Sequence, residues 1–112
     1  MEEPTFDKHG YPTEETLDAI KNWALSGNYD IDSFMEFIGE AWNCNYGKWE
    51  VDGKDIIAIT GGWSGNEEII GAFQETHLFW TLCWQESKRG GYHKFTIPEI
   101  KNTTARIIIS IY

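Results

Sequence analysis

The sequence predicts an α+β domain: a mainly antiparallel sheet of four to five strands, with two N-terminal helices and one short helix packed on it. Two observations carry this expectation. Up to residue 42 the apolar side chains recur at helical spacing, and from residue 48 they alternate with the period of a strand. The strand-like runs are mostly joined by short glycine turns rather than by helix-length crossovers, which favours antiparallel pairing. The expected order is α-α-β-β-α-β-β-β. At 112 residues the chain suits a single domain, 1–112, with an irregular arm over 1–11.

Each element has its own signature. Pro12-Thr13-Glu14-Glu15 opens the first helix, with Thr13 as cap and two carboxylates at its positive end. Leu17, Ile20 and Ala24 form its expected stripe, Trp23 flanks it, and Gly27 ends it. The second helix is expected from Asp32 to Trp42, burying Phe34, Phe37, Ile38, Ala41 and Trp42 at i, i+3, i+4, i+7 and i+8. Lys48–Val51 and Lys54–Thr60 read as a hairpin through a type I′ turn at Asp52-Gly53. A short helix follows over about Glu67–Glu75, with Ile69, Ile70 and Phe73 inward. His77–Glu86 reads as a third strand, with Leu78, Trp80, Leu82 and Trp84 on one face. Tyr92–Ile97 is a fourth, closed by Pro98, and Arg106–Tyr112 a fifth. The apolar segment 99–112 invites pairing with a second chain, so a homo-oligomer is expected.

Composition narrows the function classes. The net charge is −9, and residues 1–55 hold thirteen acids against four lysines. Such a chain is a poor direct binder of nucleic acid, whose phosphates need basic surface. No run approaches the roughly 18 apolar residues of a membrane span. Met1-Glu2-Glu3-Pro4 is not a secretory leader, and Cys44 and Cys83 make neither a disulfide framework nor a zinc site. The expected setting is a reducing cytoplasm. His9, His77 and His93 are scattered, so no metal and no cofactor is expected.

Two segments could carry chemistry. Gly61-Gly62-Trp63-Ser64-Gly65-Asn66-Glu67 runs from a strand into a helix, and amides at such a start favour anions. Ser64 and Glu67 also fit a capping box. Gly62-Trp63-Ser64-Gly65-Asn66 misses the spacing of a hydrolase nucleophile elbow, so Ser64 is a poor catalytic candidate. The second segment is Lys88-Arg89-Gly90-Gly91-Tyr92-His93-Lys94, a tight turn with a planar guanidinium. If the sheet brings the two together, rings, cations and amides converge as in a nucleotide pocket. The expected ligand contacts are Trp63, Ser64, Asn66, Glu67, Trp84, Arg89, Tyr92 and His93. No catalytic residue is assigned, although Cys83 beside His93 is a conceivable pair on neighbouring strands.

Tyr11-Pro12-Thr13-Glu14-Glu15, Thr60-Gly61-Gly62-Trp63-Ser64-Gly65-Asn66-Glu67, Phe79-Trp80, Trp84 and Ser87-Lys88-Arg89-Gly90-Gly91 together resemble a family of small, essentially uncharacterised proteins of phages and prophages. The resemblance spans about residues 11–98. This chain has Tyr92-His93 after the double glycine, where the family pattern has His then Tyr. The resemblance implies a phage origin, hence a place in the host cytoplasm, and no activity. Small accessory phage proteins often counter host defence, which is an association rather than a mechanism. Three readings follow. The first is a non-catalytic protein that sequesters an anionic, nucleotide-like ligand. The second is an acidic inhibitor of a host defence enzyme, anti-CRISPR-like or mimicking nucleic acid. The third is a small hydrolase.

Overall fold

The computed structural model describes residues 3–23, 25 and 30–98. Helix α1 spans Glu14–Lys21 and α2 spans Ile31–Ala41. Strands β1 (Lys48–Asp52) and β2 (Asp55–Ile59) follow, then α3 (Ser64–Gln74) and α4 (Leu78–Cys83). Strands β3 (Trp84–Lys88) and β4 (Tyr92–Thr96) complete the described chain. The four strands form one antiparallel sheet in the order β1-β2-β4-β3. The architecture is α+β.

The helix starts obey local chemistry. Thr13 caps α1 by accepting the Thr16 amide at 3.3 Å, and Glu14 and Glu15 occupy the first turn. Asp30 caps α2 through the Ser33 amide at 3.3 Å. In α2 the expected residues Phe34, Phe37, Ile38, Ala41 and Trp42 are buried, and Met35 joins them. Helix α1 stops at Lys21 rather than near Gly27. Trp23 is not a flank of its stripe but is buried against Phe34 and Phe37. Ala24 and Gly27 lie outside the described residues.

One side of the sheet faces the core, and among the described residues no helix packs on the other. Ile56, Ala58 and Phe95 are buried beneath the helices, while Ile57, Ile59, Tyr92 and Lys94 alternate to the other face and are half-buried. Aromatic rings meet one another through the core. Phe34 meets Trp23, Phe73 and Phe79 with centroids 5.5, 5.2 and 4.7 Å apart, and Phe73 meets Phe95 at 4.9 Å. Tilted and edge-on ring pairs of this kind add about 0.5–1.5 kcal/mol each beyond the area they bury.

Three expectations require correction. The hairpin turn is not type I′: Asp52 pairs with Asp55, which leaves Gly53-Lys54 as the loop. Gly53 has φ +62 and Lys54 does not have a positive φ, so only the first central residue is left-handed, as in type II′. The expected strand 77–86 is half helix. Residues 78–84 are almost uniformly apolar, so period-two alternation cannot be told from a buried helix. Phe79 and Cys83, four apart, bury on one side of α4, and the strand begins only at Trp84. The short helix α3 starts three residues earlier than expected, at Ser64. The fifth strand, 106–112, lies outside the described residues. No helix among the described residues is long and apolar enough to cross a membrane.

Candidate functional site

The antiparallel ladder brings the two candidate segments together. Ile59 pairs with Tyr92, and one step further the Thr60 N–H donates to the Gly91 carbonyl at 3.0 Å. Gly61 and Gly62 leave β2 at φ +68 and +75, and Gly90 and Gly91 enter β4 at φ +88 and +82. Two left-handed glycine pairs therefore lie side by side at one end of the sheet. Gly91 has no alternative, since a methyl there would strike the Thr60 side chain.

Thr60 organises this end. It is 1% exposed. Its Oγ1 accepts the Gly62 amide at 3.2 Å, and its carbonyl accepts the Trp63 amide and Asn66 Nδ2, both at 3.3 Å. Asn66 then reaches the 43–46 turn. Its Oδ1 accepts the Asn43 amide at 2.9 Å and its Nδ2 donates to the Asn43 carbonyl at 3.1 Å. Asn66 is 0% exposed, so it clasps two loops and does not face a ligand.

Trp63 is also occupied. Its indole stacks on Tyr46 at 4.8 Å and 20°, meets Tyr11 at 4.7 Å, and lies over Gly65. A base could stack there only by displacing one of these rings. Tyr11 comes from the arm, which is irregular but pinned. The Asp7 carboxylate accepts the His9 and Tyr11 amides at 2.8 and 3.0 Å, and Thr5 bonds to Thr13 and Thr16.

Ser64 does not form the expected capping box. It is the first residue of α3, Trp63 occupies the cap position, and no side chain caps the helix. The physical reason is the glycine pair: two consecutive left-handed residues turn the chain at once, so the helix begins before Ser64 could precede it. The Ser64 hydroxyl lies 3.1 Å from the Tyr11 hydroxyl. Its partner is a phenol rather than a base, which removes the basis for a Ser64 nucleophile. The first-turn amides keep their orphan character, with Glu67 one turn on.

Across the hairpin a second network appears. Trp84 Nε1–H donates to Ser87 Oγ at 2.8 Å, and Ser87 Oγ lies 2.7 Å from His93 Nδ1. Burial lowers the His93 pKa from its ordinary 6.5, and the Glu67 carboxylate opposes with a smaller upward pull. Ser87 Oγ thus links the indole of Trp84 to the imidazole of His93. A serine and a histidine at this distance also suit nucleophilic catalysis, but the indole donor on Ser87 Oγ works against it. Trp80 stacks on Trp84 at 6.1 Å and meets His93 edge-on at 6.3 Å.

Because the folded His93 is less basic than the unfolded one, the unfolded chain binds more protons around pH 6.5. Its contribution to stability is complete above the unfolded value of 6.5 and is lost as pH falls from there through the lower folded-state value. Urea unfolding from pH 8 to 5 should therefore show a steeper acid loss in the native protein than in His93→Gln. Identical slopes would contradict this account.

Strand alternation separates two residues the sequence placed together. His93 points to the helix side, whereas Tyr92 points to the other face beneath the Lys88 ammonium, 5.1 Å from its ring centroid. Arg89 is exposed in the turn and Trp84 is 41% exposed. The pairing of Cys83 with His93 fails. Cys83 ends α4 rather than lying on a strand, is fully buried, and burial pushes its thiol up to about 12. Among the described residues no group of His, Cys, Asp and Glu gathers to hold a metal.

The structure thus joins Gly61–Glu67 to Arg89–His93, withdraws Asn66, covers Trp63, and turns Tyr92 away. The sequence reading missed Thr60, Tyr11, Tyr46, Asn43 and Ser87. Ser87 was within reach, because a hairpin centred on Gly90 puts residue 87 opposite 93. Tyr11 and Asn43 act through contacts 53 and 23 residues apart, on Ser64 and Asn66, which no local spacing encodes. Comparison of the chain with family models, with curated proteins and with solved structures finds no match.

Proposed function

We propose that this protein is a non-catalytic binding protein that holds a small anionic, nucleotide-like ligand where the Gly61–Glu67 loop adjoins the Arg89–His93 turn. The observation that supports this most is the Thr60–Gly91 hydrogen bond, which puts two glycine pairs, an uncapped helix start and an exposed guanidinium at one end of the sheet. Backbone bare of side chains allows close approach by phosphate, uncapped amides donate to it, and Arg89 offers a bidentate fork. On the helix side of the hairpin, Trp84 and His93 converge on Ser87 and offer a ring and an imidazole. Tyr92 leaves the contact set, and Ser64 and Glu67 remain at its margin. In a phage-type chain such a protein would act by sequestering a host signalling nucleotide.

Calorimetric titration with a panel of mono-, di- and cyclic nucleotides tests this reading. One member should bind, and Arg89→Ala should weaken it by about ten-fold or more, given about 1.5–3 kcal/mol for a hydrogen bond to a charged group. No heat from any member at millimolar concentration would sink the proposal.

One observation favours a second reading, an acidic inhibitor. Asp32, Glu36 and Glu40 lie four residues apart on α2 and all are exposed, a continuous negative stripe. Pull-down of host proteins that survives reversal of all three to Lys would count against it.

A further inference from the structure

A groove of about 570 Å³ runs between α2 and β1, and its walls differ in kind. The floor is apolar, formed by Met35, Trp49 and Val51, while Asp32, Glu36 and Glu40 line the α2 side. Gly39 lets the two elements come this close: a methyl there would strike Nε1 of the Trp49 indole. Helix and strand run in opposite directions. Gly39, late in α2, meets Trp49, early in β1, and Asp32, early in α2, pairs with Lys54 at 3.8 Å just beyond β1. The three carboxylates therefore follow the strand as a row.

The edge beside this groove offers backbone. Among the described residues, no strand pairs with β1 on the side away from β2. The two-residue loop makes Asp52 and Asp55 a hydrogen-bonded pair, so the N–H and C=O groups of Trp49 and Val51 point outward. Val51 is 63% exposed. Asp32 has Lys54 as its cation, whereas among the described residues Glu36 and Glu40 have none. An incoming strand would find donors and acceptors, an apolar floor and unneutralised carboxylates in one place.

We propose that this groove binds an extended basic segment of a partner protein, added antiparallel to β1, with Lys or Arg at alternate positions facing α2. The proposal rests on the second reading above, an acidic inhibitor, and names the chemistry of its partner. Two periods agree. Carboxylates four residues apart on a helix stand about 6 Å apart along its axis. Alternate residues of a strand stand about 6.8 Å apart. Residues opposite Trp49 and Val51 share their face, so their side chains enter the groove. A short apolar side chain there would desolvate the carboxylates without pairing them. Lys and Arg lay an aliphatic stem along Trp49 and Val51 and bring the charged head to Glu36 and Glu40. Residues 1–55, with thirteen acids against four lysines, steer such a segment towards this half of the chain.

The test is fluorescence anisotropy of labelled nine-residue peptides with the full chain at low salt. One peptide alternates lysine with threonine; the other has the same composition with its lysines consecutive. The alternating peptide should bind at least about five-fold more tightly, and Glu36→Gln with Glu40→Gln should weaken it by about five-fold or more. Both glutamates are exposed, so the variant folds. N-methylation of the peptide's lysine amides, which face β1, should abolish binding, while N-methylation of its threonine amides should change it by less than about three-fold. Equal binding of the two peptides, no binding of either at millimolar concentration, binding that survives the double substitution, or indifference to the site of N-methylation would each overturn the proposal. If host proteins are still captured in a way that needs Asp32, Glu36 and Glu40, the acidic-inhibitor reading stands without this groove.

Discussion

Gly61→Ala should cost more than about 4 kcal/mol and leave little folded protein, whereas Gly62→Ala, one residue on, should cost only about 1–2 kcal/mol. Both glycines are left-handed, at φ +68 and +75, so the backbone penalty for an L side chain is shared. Their surroundings differ. A methyl on Gly61 would overlap the Tyr46 carbonyl oxygen and lie 2.7 Å from its carbon, while a methyl on Gly62 meets nothing within 4 Å. The obstacle at Gly61 is backbone and cannot rotate aside. Tyr46 is held in place because its turn is fastened by Asn66 through Asn43, and its ring is stacked on Trp63. Relief therefore requires the 43–47 turn to leave β2, and the Trp63 cluster would go with it. Urea unfolding of both variants, with m values compared to the parent, measures the difference. Costs within about 1 kcal/mol of each other would mean that the two loops are not in van der Waals contact.

The same loops show where sequence reasoning succeeds and where it stops. Features set by neighbours along the chain were legible: the Thr13 cap, the buried face of α2, the hairpin from β1 to β2, and the turn at Gly90-Gly91. Phe34, Phe37, Ile38 and Ala41 repeat at helical spacing, and the core then takes that face whatever lies opposite. Failure came where two local solutions were equally good. The run from Leu78 to Trp84 is apolar on every side, so α4 and a strand explain it alike. Ser64 looked like a cap because its spacing to Glu67 is right, yet two left-handed glycines had already started the helix. The juxtaposition of the glycine loop with the Arg89 turn was legible only as a condition. It depends on β2 pairing with β4 across two intervening helices and β3, and the sequence shows that pairing only through the antiparallel bias of the whole. Tyr11 on Trp63 had no signal at all, because the arm reaches it by a contact over 52 positions of sequence.

Asn66→Asp gives the sharpest test of how that end of the sheet is held. The exchange keeps size and shape and changes only one donor group. In the native protein Nδ2 donates to two carbonyls, those of Asn43 and Thr60, at 3.1 and 3.3 Å, and the residue is 0% exposed. An ionised aspartate would aim a negative oxygen at both carbonyls without solvent between them. The position lies in the first turn of α3, where the helix favours a carboxylate by about 0.3–1 kcal/mol. The lost donors and the buried charge cost about 3–5 kcal/mol, so repulsion wins. The folded protein then raises the carboxyl pKa above the unfolded value of about 3.9, and the native state binds the extra proton. A protonated carboxyl can donate to one of the two carbonyls, so the deficit relative to the parent should be smallest below about pH 4 and should grow as pH rises through the folded-state value. Asn66→Leu, which strands the same groups without adding charge, should show a deficit of about 2–4 kcal/mol that does not change with pH. Urea unfolding of the three proteins at matched pH separates the cases. A flat profile for Asn66→Asp would place the side chain in contact with water and remove the clasp from the account of the site.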